Sequence, residues 1–264
     1  REYIFYIQNG FNVVACNKKA NTQHYDFYKE IRKNLKQFDR QFHYETNVGA
    51  GLPIVNTIRE LYYSGEKITK IRGVFSGSLS YIFNRFSDED VSFTEILSQA
   101  ENIGYTEPDS REDLSGQDVA RKLLILAREI ETQAEFSDVK ITSLLLPELE
   151  QNTTKAQYAI NKYLLDKPFE TAKVTLPENH VLRYIGEFDV KGKTLETKLV
   201  FEPRNSPLGR LSKSDNLIEI YTESYGENPI VIQGAGAGKE VTARGALSDI
   251  LRICQSKQYQ KVLA

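Results

Sequence analysis

The sequence holds no methionine and no tryptophan, and only two cysteines and three histidines in 264 residues. Cys16 and Cys254 are too few for a disulfide framework or a thiolate metal site, and a reducing, cytoplasmic setting is the default reading. His24, His43 and His180 show neither metal-ligand spacing nor a paired acid, which leaves a hydrolytic triad without support. Basic and acidic side chains nearly balance, for a net charge of −2, so nothing favours nucleic acid or an anionic membrane as partner. No apolar run approaches the roughly 20 residues of a bilayer span, and no secretory signal pattern is present. The phosphate-binding fingerprints are missing too. GAGAG at 234–238 has Lys239 and Val241 where a third small residue would complete a dinucleotide turn, and Gly238-Lys239 is followed by Glu240, not by the Ser or Thr of a P-loop. It reads as a strand-to-helix turn that brings backbone close to a ligand or to another strand, with a ligand-free turn left open. The opening REYIFYIQNGFNVV reads as the end of a helix, a stop at Gly10 and a strand. With the lack of methionine, this creates the expectation of a portion of a longer polypeptide, or of residues missing from the sequence.

What is present is an α/β pattern long enough for a sizeable core. Strands are expected at Asn12–Cys16, Phe42–Thr46 and Ile68–Phe75. Helices are expected at His24–Phe38, at Pro53–Tyr63 with proline in its first turn, at Ser78–Phe86, and at Ser92–Ile103, which Gly104 ends. After a long helix over 115–131, strands dominate: Val139–Leu145, Val181–Val190, Thr194–Phe201, Leu217–Thr222 and Ile230–Gln233. A helix near Lys155–Leu165 interrupts them, and Gly245–Lys257 is the last helix. Strands separated by helices at the start fit the second half of a doubly wound nucleotide-binding domain over 1–46. An α+β domain with a mixed sheet follows over 47–233, and 234–264 returns to the first.

The densest chemistry lies in GYTEPDSREDLSGQDVARK, Gly104 to Lys122. Pro108 and the polar run 109–113 argue for a loop, and Ser115 is the expected N-cap of the next helix, with Asp118 three residues on. Val119, Leu123, Leu126, Ala127 and Ile130 form one helical stripe. Asp118 and Lys122 share a flanking face at i,i+4, although an ordinary surface ion pair has the same spacing. Glu107, Asp109, Glu112, Asp113 and Asp118 repel one another unless a cation or solvent intervenes. That suggests a ligand bearing an ammonium group, with Lys122 beside the reacting atom as proton donor. Lys18 ends the first strand, where doubly wound sheets bind ligands, but a solvated loop lysine fits equally well. At Glu45 and VGAGLP, one carboxylate and several carbonyls could form a hard-oxygen cage of low charge, suited to a monovalent cation; a plain glycine turn before Pro53 is the alternative.

The acidic segment resembles the substrate signature of homoserine dehydrogenases, and four further blocks extend the likeness in the same order. They are NVVACNKKANT at 12–22, YETNVGAGLPIVNTIREL at 44–61, IRGVFSGSLSYIFNRF at 71–86 and VIQGAGAGKEVTARGALSDILR at 231–252. The match is weak over 132–180, and Ser110 and Glu112 depart from the usual pattern. NKKANT resembles the form in bifunctional aspartate kinase–homoserine dehydrogenases and some fungal enzymes. The resemblance implies interconversion of L-homoserine and L-aspartate 4-semialdehyde with NAD or NADP. It implies catalytic roles for Lys122, Asp118 and Lys18, and substrate contacts from Glu107, Asp113, Tyr105 and Lys18. Lys18, Gly104 and Gly238 would contact the cofactor, and Glu45, Val48, Ala50 and Leu52 would hold sodium. It also implies a homodimer or higher oligomer and a fused aspartate kinase. A non-catalytic substrate-binding and dimerisation module is the alternative for a truncated chain.

Overall fold

The computed structural model describes residues 1–150 and 153–262, with the side chains of the last helix described as far as 255. In chain order the elements are α1 (Glu2–Gln8), β1 (Val13–Val14), α2 (Lys19–Thr22), α3 (Tyr25–Gln37), β2 (Phe42–His43), α4 (Ile54–Tyr63), β3 (Ile68–Val74), α5 (Gly77–Asp88), α6 (Phe93–Asn102), α7 (Arg111–Leu114) and α8 (Gln117–Glu129). They continue with β4 (Val139–Ile141), α9 (Lys155–Asn161), α10 (Asp166–Val174), β5 (His180–Asp189), β6 (Thr194–Pro203), β7 (Asp215–Thr222), β8 (Ile230–Ala235) and α11 (Lys239–Val262).

Two sheets result. β1 and β2 pair in parallel, Val13 opposite Phe42 and Val14 opposite His43. With α3 between them they form one β–α–β unit. The larger sheet is mixed and six-stranded, in the order β4-β6-β5-β3-β7-β8, with β4 parallel to β6 and the other neighbours antiparallel. β5 is covered on both faces. Leu182, Tyr184 and Phe188 join the main core, while Ile185 packs with Val74, Leu208, Leu211 and Leu217 on the opposite side. The period-2 alternation of a strand makes that division. On the second side the buried Arg183 guanidinium donates to the carbonyls of Leu208, Gly209 and Leu211 and so clamps the β6–β7 connection onto the sheet. On the first side α5, α6 and α10 interlock through Phe83, Phe86, Phe93 and Phe169, with the Phe93 and Phe169 rings stacked at 3.7 Å.

Several expectations need correction. β1 and β2 are two residues each, and the second gives way to a 3₁₀ turn at Glu45–Asn47. β4 ends at Ile141, after which Thr142 N–H makes one more bond, to Thr197 O. The segment 109–113 is not wholly loop, because Arg111–Leu114 closes into a helical turn. The long helix is capped at Gly116, not by Ser115, which instead ends α7 and accepts a bond from Gln117 N–H. Gly116 has φ 71°, so the chain can reverse between the two helices at no side-chain cost. α8 is buried on nearly every face from Leu123 onward, not along a single stripe. Arg128 survives there because its guanidinium donates to the carbonyls of Asn21, Gln23 and Ala134. α10 has no expected counterpart, and α11 begins six residues before Gly245.

Candidate active site

The first turn of α8 faces the carboxyl end of β1. Asp118 there accepts from both sides: its carboxylate lies 2.8 Å from Lys122 Nζ and 3.1 Å from Lys18 Nζ. Burial alone would raise the Asp118 pKa. The ammonium groups of Lys122 and Lys18 outweigh it and hold the carboxyl well below its usual range, so it stays ionised. Lys122 also donates to Phe75 O at 2.8 Å, just past the end of β3. An ammonium has three N–H bonds, and these two partners leave one for a ligand. The Lys122 side chain is only 12% exposed while Asp118 is 45% exposed, so Asp118 is the member that meets solvent.

Asp118 opens on a cavity of about 880 Å³ with Ser76, Glu107, Glu112 and Asp113 on its walls. The five carboxylates counted in the sequence divide sharply. Asp109 is spent on Arg111, whose guanidinium grips both its oxygens at 2.9 and 2.7 Å and holds its pKa down. Asp118 is spent on the two lysines. Asp113 accepts from Ser78 Oγ at 2.5 Å and from Glu107 N–H at 2.9 Å, and burial pushes its pKa up. Among the described residues, no hydrogen bond or ion pair engages the side-chain carboxylates of Glu107 and Glu112. Of those five, the charge left to meet a cationic ligand is that of Glu107, Glu112 and Asp113, and Glu150 adds a further carboxylate to the lining.

The other expected residues scatter. Gly104 sits just past α6 with φ 73° and open space around it. Tyr105 packs edge-on against Tyr81 at 4.9 Å and does not line the cavity. Gly238 has φ 124° and precedes the first residue of α11. Glu45, expected in the cation cage, already makes hydrogen bonds at the start of α4. Its oxygens accept from Val55 N–H at 2.7 Å, Asn56 N–H at 3.1 Å and the Asn56 amide, capping α4. Burial raises its pKa to about 7 against those stabilising bonds. The other expected donors lie on the turn through Val48, Ala50 and Leu52, where Gly49 and Ala50 both have positive φ and Leu52 O accepts from Ile54 N–H at 2.9 Å. Among the described residues no group of three or more His, Cys, Asp or Glu side chains could hold a metal ion, and no helix is long and apolar enough to cross a membrane.

Residue-type reasoning missed Phe75 O, Ser76, Ser78 and Asn216, whose amide donates to Phe75 O at 3.0 Å. A backbone acceptor has no signature in side-chain chemistry, and a lone Asn or Ser in a strand-to-helix run carries no spacing signal. A second cavity, about 450 Å³, is lined by Tyr28, Arg32, Tyr44, Arg59 and Glu129. There Glu129 is taken by Arg59 at 2.9 Å and by Tyr44, while Arg32 Nη1 is buried without a hydrogen-bond partner among the described residues.

Fold and site together define an α/β protein with a lysine–carboxylate–lysine centre on an acidic cavity beyond the end of a parallel strand pair. The chain belongs to the homoserine dehydrogenase family, whose family model matches residues 53–251. It is 37% identical over 265 residues to the homoserine dehydrogenase of Paracoccidioides brasiliensis, covering 96% of this chain and 70% of that one. It is 41% identical over 252 residues to the chloroplastic bifunctional aspartokinase/homoserine dehydrogenase 1 of Zea mays, covering 95% of this chain but 27% of that protein. A hyperthermophilic archaeal homoserine dehydrogenase solved in complex with NADPH shares the fold, with a TM-score of 0.72 at 21% identity, over 96% of this chain and 67% of that one.

Proposed function

We propose that this chain supplies the substrate-handling part of a homoserine dehydrogenase, interconverting L-homoserine and L-aspartate 4-semialdehyde in threonine and methionine biosynthesis. The observation that carries the reading is the bridge of Asp118 between Lys18 and Lys122. It presents an ammonium with one N–H to spare beside an acidic cavity. In the reducing direction Lys122 protonates the oxygen as it gains negative charge; in the oxidising direction its neutral form takes the hydroxyl proton. Asp118 orients Lys122 and balances its charge. Glu107 and Asp113 bind the substrate ammonium, and Ser78 with the Glu107 N–H fixes the Asp113 carboxylate for that task. Tyr105 would join them only by turning away from Tyr81.

A bound nicotinamide cofactor would exchange the hydride with the substrate carbon. The residues present fit its nicotinamide end. Lys18 lies beyond the carboxyl end of β1, where such sheets take ligands. Gly238, at φ 124°, lets backbone come close without a Cβ in the way, and we assign the same role to Gly104, just past α6. On this reading 1–46 and 234–264 are part of a nucleotide-binding domain, and 47–233 is the catalytic and dimerisation domain. NADPH in the archaeal relative favours NADP over NAD only as an analogy. Glu45 with the carbonyls of Val48, Ala50 and Leu52 is the candidate sodium site; one carboxylate among neutral oxygens suits a monovalent ion better than zinc or magnesium.

Partners follow the same reading. A homodimer would use the six-stranded sheet, and an aspartate kinase fusion has its parallel in the maize relative. The setting expected is cytoplasmic. Replacing Lys122 with alanine in the full-length protein tests the assignment. Homoserine-dependent reduction of NADP⁺ should collapse while the thermal unfolding midpoint barely moves; near-normal kcat would rule the role out.

A further inference from the structure

β3 stops pairing one residue before the site. Its last partner on β7 is Leu217, opposite Val74, and Phe75 O is left to side chains. Two of them take it: Lys122 Nζ at 2.8 Å and the Asn216 amide Nδ2 at 3.0 Å. Asn216 is 1% exposed, and its Oδ1 has no hydrogen-bond partner among the described residues. A buried amide with one half unpaired is costly, and an aliphatic side chain of the same size would fill the space without that cost. What the amide does, and an aliphatic group could not, is donate to the carbonyl that holds Lys122. The GAGAG turn is built around it. A Cβ placed on Gly236 would overlap the Asn216 amide, so glycine at 236 leaves the room that the amide fills.

We propose that Asn216 is a positioning residue for proton transfer, with Gly236 giving it space. Its N–H takes one side of the Phe75 carbonyl and confines Lys122 to the other. That fixes the direction in which the third N–H of Lys122 points. The inference rests on the assignment of Lys122 as proton donor and extends it to β7 and the GAGAG turn.

The test compares Asn216→Leu, Gly236→Ala, the double variant and Lys122→Ala in the full-length protein. The readouts are kcat, KM for homoserine, the pH profile of kcat and the thermal unfolding midpoint. Asn216→Leu should lower kcat about tenfold, the effect of losing one aimed hydrogen bond. KM for homoserine should stay within about twofold, because Glu107 and Asp113 carry binding and are untouched. The pH limb of kcat should move. Gly236→Ala should show the same pattern, and the double variant should be no worse than the poorer single, since both act through one element. Asn216→Leu or Gly236→Ala with wild-type kcat and an unmoved pH limb, beside an inactive Lys122→Ala, overturns the inference alone. A lowered unfolding midpoint with the pH limb in place marks a merely structural amide and overturns it as well. An active Lys122→Ala overturns the reading beneath it. If Asn216→Leu does not fold, Gly236→Ala decides by the same readouts.

Discussion

Exchanging Asp118 for asparagine changes one charge and almost no volume at the point where two cations converge. The asparagine carbonyl oxygen can still accept from one lysine, but its NH₂ group faces the other, where only donors meet. Lys122 has a second partner in Phe75 O at 2.8 Å, whereas Asp118 is the ion-pair partner of Lys18. Lys18 is therefore released first, and Lys122 loses its charge balance while staying tethered. A charge-assisted hydrogen bond contributes about 1.5–3 kcal/mol. With the Asp118 side chain 45% exposed, water screens the pair and the lower part of that range applies. At about 1.4 kcal/mol per tenfold, kcat should fall roughly 10- to 30-fold, with a rise in KM for the cofactor that Lys18 is proposed to contact. The Asp118 carboxyl is held below its ordinary range in the folded protein, so its stabilising contribution is present above the unfolded carboxylate pKa. That contribution is lost only as pH falls through the lower folded value. The stability gap between wild type and Asp118→Asn should hence be constant from about pH 5 to 8 and close only in strong acid. Initial rates of homoserine-dependent NADP⁺ reduction, with urea unfolding across pH, measure both effects. A variant within threefold of wild-type kcat would refute the bridging argument.

Glu45 behaves in the opposite sense. Its folded pKa of about 7 lies above the ordinary 4.5, so its contribution is full below about 4.5 and lost as pH rises through about 7, an interval equivalent to about 3 kcal/mol. Urea unfolding of Glu45→Gln should lack that decline, and an unchanged slope between pH 5 and 8 would place the ionisation elsewhere. Gly116→Ala should destabilise by about 2–4 kcal/mol, because φ is 71° and the new methyl would overlap the Tyr184 hydroxyl. Calorimetry reads this loss, and KM for homoserine in the folded fraction should hold.

Much of the site was legible before any coordinates because it is local. Asp118 and Lys122 meet through one helical turn, and helical spacing is a property of the backbone alone. Gly104 ends α6 as its missing side chain suggests, and the strands of the large sheet announce themselves by alternation and length. Boundaries were less legible. Gly116 takes the cap that Ser115 was expected to supply, because α7 uses Ser115 to end itself. α10 stayed hidden because its nine residues carry only a weak apolar face.

The sequence by itself determined the family, the α/β class and the residue types gathered around Lys122. Those are written in short motifs and in periodicities that any local window contains. Only the tertiary structure decided how the charges divide. It brings Lys18 to Asp118 across 100 positions of chain, takes Asp109 out of the acidic cluster with Arg111, and turns Glu45 inward to cap α4. It also places the Phe75 carbonyl and the Asn216 amide behind Lys122. Partners so far apart in the chain are chosen by how α8, β1, β3 and β7 pack against one another, and no spacing along the chain encodes that geometry.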